Sequence, residues 1–200
     1  MSVIETRRHQ LFPVLNAGQI DTAKRFASAL AREFTPREIV YEVAARDAPV
    51  WLVLKGSIDV VRRDGLNHEA PITSLLPGQF SGESSQLAGA ATLASARAGP
   101  EGCIALPLDT AHVHALMIGS AEVGEIMMRA FILRRVALIE EGDAGAILVG
   151  KAGTKDLVRL QGFLGRNGYP YTVLDAFDDT KGRAVIERLG VLPDELPLMA

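Results

Sequence analysis

The apolar residues of this chain change their spacing three times, and each change restricts what it can fold into. From residue 1 to about residue 34 the pattern is that of an N-terminal segment and a helix. From Arg32 to Leu108 the spacing moves to a period of two, in short runs broken by turn residues. The candidate strands are Glu38 to Val43, Val50 to Leu54, Ser57 to Arg62, Ala70 to Leu75, Leu93 to Ala98 and Gly102 to Leu106. Short strands at such intervals favour a sandwich or barrel. Between Val113 and Glu141 the spacing becomes three and four, with Val123, Ile126, Met127, Ala130, Leu133, Val136 and Ala137 on one stripe. Phe131, Ile132, Leu138 and Ile139 widen that stripe, and a helix apolar on more than one face must be buried more than once.

Gly142-Asp143-Ala144-Gly145 reads as a linker, and the pattern changes again after it. Ala146 to Gly150 is a continuous apolar strand, and Thr154 to Arg166 is an amphipathic helix with Leu157, Leu160, Phe163 and Leu164 inward. Tyr171 to Asp175 is a second strand, and Thr180 to Leu189 a second helix ending at Gly190, a suitable C-cap. Strand-helix-strand-helix with short connections implies parallel strands and a right-handed crossover. The expectation is an α+β chain of two parts, residues 1–141 and 146–200, joined by 142–145.

Composition narrows the function. A net charge of −3 offers no bulk electrostatic reason to bind nucleic acid. The single cysteine, Cys103, excludes an internal disulfide and a four-cysteine metal site, and in an apolar strand it packs as a small hydrophobe. No apolar run reaches bilayer length and the N-terminus lacks a secretory core, so a cytoplasmic protein that neither spans nor binds a membrane is expected. His112-x-His114 has no carboxylate or cysteine cluster beside it and reads as a solvated helix start, with no metal site expected. Gly150-Lys151-Ala152-Gly153-Thr154 lacks the order of a phosphate loop and reads as a turn and helix N-cap.

Leu75 to Ala98 is the stretch with binding chemistry. It turns at Pro77-Gly78, reaches Phe80-Ser81-Gly82-Glu83, continues through a short helical run at Ser84 to Leu87, and passes a small-residue loop into Leu93 to Ala98. Glycine admits a close backbone approach, helix N-terminal amides favour an anion, and a carboxylate beside them suits a ribose hydroxyl. The stretch resembles the phosphate-binding cassette of cyclic-nucleotide-binding domains, with Gly82 and Glu83 matching its Gly-Glu core. The family's phosphate-binding arginine falls at Thr92, and Arg97 lies five places later. The resemblance implies a ligand site at Gly82, Glu83, Ser84, Ser85, Thr92 and Leu93. The alternative for Glu83 is a carboxylate held by a helix dipole.

Trp51-Leu52-Val53-Leu54-Lys55-Gly56-Ser57-Ile58-Asp59-Val60 resembles the same family's hairpin, in which glycine permits a tight turn, and Arg63-Asp64-Gly65 fits the tip of a second one. Leu15 to Ile20 resembles the family's opening segment, although an amphipathic helix alone accounts for it equally. The resemblance implies a jelly roll followed by a long helix that packs two protomers, through Val123, Ile126, Met127, Ala130 and Leu133. The alternative is a helix clasped between two domains of one chain. Residues 146–200 resemble half of a glutaredoxin or thioredoxin, with Leu196–Pro197 expected in the cis form. The loop that would carry the redox cysteines reads Lys151-Ala152-Gly153-Thr154, so thiol chemistry is not expected.

The order of parts resembles the N-terminal region of fused flavoproteins, in which a cyclic-nucleotide-binding-like domain precedes a thioredoxin-reductase-like enzyme. Arg129 to Arg135 and Phe163 to Tyr171 carry that resemblance. It implies a non-catalytic, ligand-sensing region, with FAD and NADPH bound only by sequence beyond Ala200. A transcription regulator of the cyclic-AMP-receptor type is the competing reading. It requires a helix-turn-helix after the long helix, where residue 146 instead begins a buried strand. A stand-alone small-molecule sensor is a further alternative.

Overall fold

The computed structural model describes residues 3–63, 69–82, 92, 94–140, 146–167 and 171–199. Glu83, Ser84, Ser85 and Leu93 of the expected site, the linker 142–145 and the hairpin tip at Asp64-Gly65 lie outside the described residues. The chain divides into two compact units, residues 1–62 with 69–137, and residues 63–68 with 138–200.

The first unit opens with α1 (Val3–Leu11) and α2 (Ala17–Lys24). The motif around Leu15 has a local cause. Asn16 caps α2 by accepting from the Gln19 amide at 2.9 Å, and the Gln19 side chain accepts from the Asn16 amide at 2.8 Å. Leu15 is buried, and its amide donates to the Gly78 carbonyl at 2.8 Å. Gly78 has φ +83°, and a Cβ there would lie 2.9 Å from the Leu15 carbonyl oxygen, so the turn at Pro77-Gly78 requires glycine.

Five strands follow: β1 (Arg32–Phe34), β2 (Ile39–Tyr41), β3 (Val50–Arg63), β4 (Glu69–Leu75) and β5 (Ser95–Leu108). They form one sheet in the order β1-β5-β3-β4, with β2 also on β5, and β5 runs antiparallel to β1, β2 and β3. The sequence pattern split β3 and β5 into two strands each and placed a hairpin turn at Gly56. In the fold each strand is continuous through its glycine. The register between them shifts at Val53/Lys55 and Gly56/Ile58, so the irregularity is a bulge, not a reversal. Gly56 faces Gly102, both at positive φ, and a Cβ on Gly56 would stand 2.2 Å from the Gly102 carbonyl oxygen.

Alternation along β3 serves two cores. Val50 and Leu52 join Phe80, Leu106, Leu108 and helical residues in one cluster. Trp51, Val53 and Ile58 join Phe34, Leu75, Ala96, Ala98, Cys103 and Ala105 in the other. The expected single helix over 113–141 is two helices, α3 (Thr110–Gly119) and α4 (Ala121–Glu140). The break falls at Ser120, which is extended (φ −140°, ψ 101°) and donates its amide to Leu116. Gly124 lets α4 lie on α3, since a Cβ there would be 2.6 Å from the Met117 carbonyl oxygen.

The residues expected to join two protomers are used otherwise. Val123, Met127 and Ala130 are buried in the first unit's own core, Ile126 packs against that core, and Leu133 is buried with Leu11 and Ala137. The exposed apolar residues of α4 are Met128, Ile132 and Val136.

The second unit contains β6 (Ala146–Gly150), α5 (Lys155–Arg166), β7 (Tyr171–Asp175), α6 (Thr180–Leu189), a short 3-10 turn and β8 (Leu198–Met199). The sheet order is β7-β6-β8, with β6 parallel to β7 and antiparallel to β8. Leu148 packs with Leu157 and Leu164 of α5, whereas Val149 packs with Val185 of α6, so the two helices take opposite faces of β6. Asp179 caps α6, and Gly190 closes it in the left-handed conformation. The Leu196–Pro197 bond is cis, the isomer expected for it. No helix among the described residues is long and apolar enough to cross a membrane.

Candidate functional site

The described part of the expected binding stretch is its two ends, Phe80-Ser81-Gly82 and Thr92. Ser81 is fully buried and pairs with Trp51 of β3 on both sides. Its amide donates to the Trp51 carbonyl at 2.9 Å, and its hydroxyl accepts from the Trp51 amide at 2.8 Å. Gly82 then leaves the sheet at φ +99°, a region that favours glycine.

The carbonyls of this segment point to a residue that the sequence reading did not assign. Arg134 of α4 is only 8% exposed. It donates to the carbonyls of Leu11 at 2.8 Å, Gly82 at 2.6 Å and Phe80 at 3.0 Å. Its guanidinium carbon lies 5.0 Å from the ring centres of Phe12 and Phe80 and 6.0 Å from that of Phe131. Phe80 and Phe131 meet edge to face at 5.8 Å. One side chain therefore joins the end of α1, the root of the binding stretch and the long helix. The available signal was a charge at a position, three after Phe131 and four after Ala130, where the helical period calls for an apolar residue.

Thr92 stands where the resemblance places the phosphate-binding arginine, and its polar groups are all engaged by the backbone of residues 42–45. Its hydroxyl donates to the Glu42 carbonyl at 2.7 Å and accepts from the Ala45 amide at 3.1 Å. Its amide donates to the Ala45 carbonyl at 3.0 Å, and its carbonyl accepts from Ala44 at 2.8 Å. Ser95 holds the same turn, accepting from the Val43 amide at 3.0 Å and donating to the Glu42 carboxylate at 3.3 Å. Arg97, the nearest downstream cation, forms an ion pair with Glu69 on β4. Chemically, the turn at 42–45 is riveted by the Thr92 and Ser95 hydroxyls to the segment that enters β5.

The remaining candidates are accounted for locally. His112 lies beside its helix cap, Asp109, whose carboxylate accepts the His112 amide at 2.9 Å and stands 2.7 Å from Nδ1. That amide bond, then the ring contact, holds the Asp109 carboxyl below its ordinary value. Cys103 is buried, and burial followed by the charge of Glu38 pushes its thiol up to about 11. In the second unit Asp175 joins two loops by accepting from the amides of Ala152 (3.0 Å), Phe177 (2.8 Å) and Asp178 (3.0 Å). Those bonds, led by Ala152, lower its carboxyl pKa.

No protein-family description matches the chain, and no curated protein does. Solved structures do. The catabolite activator protein of Thermus thermophilus is 24% identical with a TM-score of 0.53, the match covering 64% of this chain and 58% of that one. A transcriptional regulator from Thermotoga maritima is 14% identical with a TM-score of 0.51, covering 61% of this chain and 93% of its own. The c-di-GMP responsive global regulator CLP of Xanthomonas campestris is 16% identical with a TM-score of 0.51, covering 90% of this chain and 74% of its own. The match to the Thermus protein thus spans little more than half of that protein's length. At these identities the likeness is one of fold, and the antiparallel sheet of the first unit is consistent with a jelly roll of the kind those structures contain.

Proposed function

We propose that the chain is a non-catalytic, ligand-responsive regulator, and that its first unit senses a small molecule other than a cyclic nucleotide. The observation that carries this is Thr92, a neutral side chain fully engaged by the backbone of Glu42 and Ala45 where the resemblance places a phosphate clamp. The fold likeness to regulators supports the sensing role. Gly82, Glu83, Ser84 and Ser85 form the proposed ligand-facing segment, with Thr92 and Leu93 closing it. A guanidinium meets a phosphate through two charged hydrogen bonds, and a hydroxyl supplies one neutral donor. Loss of such a buried pair costs about 2–5 kcal/mol, which is roughly a 30-fold to several-thousand-fold loss of affinity. Calorimetric titration with cyclic AMP, cyclic GMP and cyclic di-GMP is expected to show no sub-micromolar binding; a sub-micromolar constant for any of them overturns the proposal.

The fold likeness favours a stand-alone regulator of the same broad kind as the structural neighbours. A second setting is favoured by one observation in the second unit. Its order β7-β6-β8, with one parallel and one antiparallel pairing and helices on opposite faces, supports reading it as a thioredoxin-like module. In that setting the chain is the regulatory region of an FAD- and NADPH-dependent thioredoxin-reductase-like protein, and the cysteine-free module is a docking element. DNA binding by a helix-turn-helix requires a recognition helix free to enter a groove. Fluorescence anisotropy with a random duplex at low salt separates the two settings: nanomolar binding favours the DNA-binding regulator, and its absence the docking module. We also propose a homodimer, built on the Met128, Ile132 and Val136 face of α4.

A further inference from the structure

We infer that a groove between α1 and α4 of the first unit binds a free amphiphilic monoanion, of the chemistry of a medium-chain carboxylate. The inference goes beyond the ligand segment proposed above, and neither rests on the other. The groove has a volume of about 620 Å³, within the range of small-molecule sites. Its α4 side is apolar, with Met128 and Ile132 exposed by 41% and 51% beside a buried Leu133. Its α1 side is polar, from Arg7 and Gln10. The two sides are fixed to each other. Arg134, next in sequence to Leu133, donates to the Leu11 carbonyl at the end of α1 at 2.8 Å, and Leu133 shares a cluster with Leu11 and Phe12. A groove whose walls are already in place spares its ligand the cost of ordering them.

Charge selects the occupant. The lining carries two arginines, Arg7 and Arg129, and one carboxylate, Glu125, which leaves one positive charge. Arg129 is paired with Glu125 one turn earlier in α4, and among the described residues Arg7 has no ion-pair partner. One uncompensated cation beside an apolar surface fits a molecule with a single anionic head and an apolar body. A carboxylate meets a guanidinium through two charged hydrogen bonds, and Gln10 supplies a neutral amide donor on the same helix. A neutral amphiphile would leave Arg7 unused, and a second anionic group would find no cation. The apolar body covers Met128 and Ile132. Each methylene wholly removed from water raises affinity about fourfold, so one half covered in an open groove raises it about twofold.

The chain has five methionines, so methyl-labelled methionine gives a sparse spectrum in which Met128→Leu assigns the Met128 signal. The probes are decanoate, octanoate and decanol, titrated into the full chain. The expected result is a saturable shift of the Met128 methyl with decanoate, with affinity about fourfold weaker for octanoate, which lacks two methylenes. Decanol is expected to bind about fivefold more weakly than decanoate, the worth of a solvent-exposed ion pair. Arg7 is exposed, and Arg7→Gln is expected to weaken decanoate about fivefold and leave decanol unchanged, a split that a loss of structure would not produce. Met128 and Ile132 also belong to the proposed dimer face, so saturating decanoate is expected to shift sedimentation from dimer towards monomer. A parent that is already a monomer removes the dimer, and the decanoate titration still decides this inference. No saturable Met128 shift with decanoate, equal affinity for decanoate and decanol, or parental decanoate affinity in Arg7→Gln overturns it. A Met128 shift that follows protein concentration instead of decanoate assigns the groove to a second copy, and one produced only by anionic phospholipid vesicles assigns it to a membrane surface; either result overturns it as well.

Discussion

Arg134 ties three segments of the first unit together, and replacing it with methionine tests that directly. The substitution removes three charged N–H donors and strands the carbonyls of Leu11, Phe80 and Gly82. The Leu11 carbonyl belongs to the last turn of α1, where no intrahelical donor reaches it. A buried acceptor left unsatisfied costs about 1–3 kcal/mol. Taking the lower half of that range for three acceptors gives about 3–6 kcal/mol. The guanidinium also rests against Phe12 and Phe80 at 5.0 Å, worth about 0.5–2 kcal/mol by cation–π attraction. Methionine returns about 1–2 kcal/mol by filling the same apolar space. The expected net destabilisation is about 3–5 kcal/mol. Arg134→Lys keeps the charge but reaches fewer of the three carbonyls, so it should lose about half as much.

Urea unfolding followed by fluorescence reads this cleanly, because the single tryptophan, Trp51, lies in the first unit. The midpoint should fall while the slope with urea stays constant. A loss below about 1 kcal/mol for Arg134→Met, the range of a surface contact, would refute the view that this side chain holds α1, the binding stretch and α4 together.

Three further outcomes are expected. The folded pKa of Asp175 lies below the ordinary carboxyl value of 3.8, so its contribution is present above that value and is lost as pH falls through the folded pKa. Acidification below pH 4 should therefore loosen the second unit in hydrogen exchange, and Asp175→Asn should flatten that dependence; identical profiles would count against the loop-joining role. With its thiol pushed up to about 11, Cys103 is about one part in a thousand thiolate at pH 8 and is buried as well. Its reaction with a disulfide reagent should be at least a hundredfold slower than in the urea-unfolded chain, and comparable rates would show the strand to be open. Ile132, 51% exposed, is the centre of the proposed seam. Ile132→Asp should sediment as a monomer with unchanged unfolding and the parent as a dimer, and a monomeric parent removes the proposal.

Much of the fold was legible because it follows from period. The alternation in β3 is what places Trp51 and Leu52 in different cores, and the apolar run at Ala146 to Gly150 is what a strand covered on both faces requires. What was not legible came from contacts distant in sequence. Gly56 signals a departure from regular backbone, but only Gly102, 46 residues later, makes that departure a bulge shared by two long strands. Gly119 and Ser120 interrupt a helical pattern that has no proline, and the break became visible only with Gly124 packed on Met117.

The helix α4 shows how a stripe can be located and still be given the wrong partner. The apolar positions were identified, but of the residues whose added width implied burial on a second face, Phe131 is buried in the first unit's core and Ile132 is exposed. Periodicity cannot say which face meets the protein's own core. Val123, Met127 and Ala130 meet it, joined at the same face by Arg134, which leaves Met128, Ile132 and Val136 outside. The charge within the stripe was the informative departure. An arginine buried among Phe12, Phe80 and Phe131 is stabilised there by backbone carbonyls that receive its donors. Two of those carbonyls, at Phe80 and Gly82, begin the binding stretch. The side chain that anchors the long helix is therefore also the one that positions the root of the proposed ligand segment.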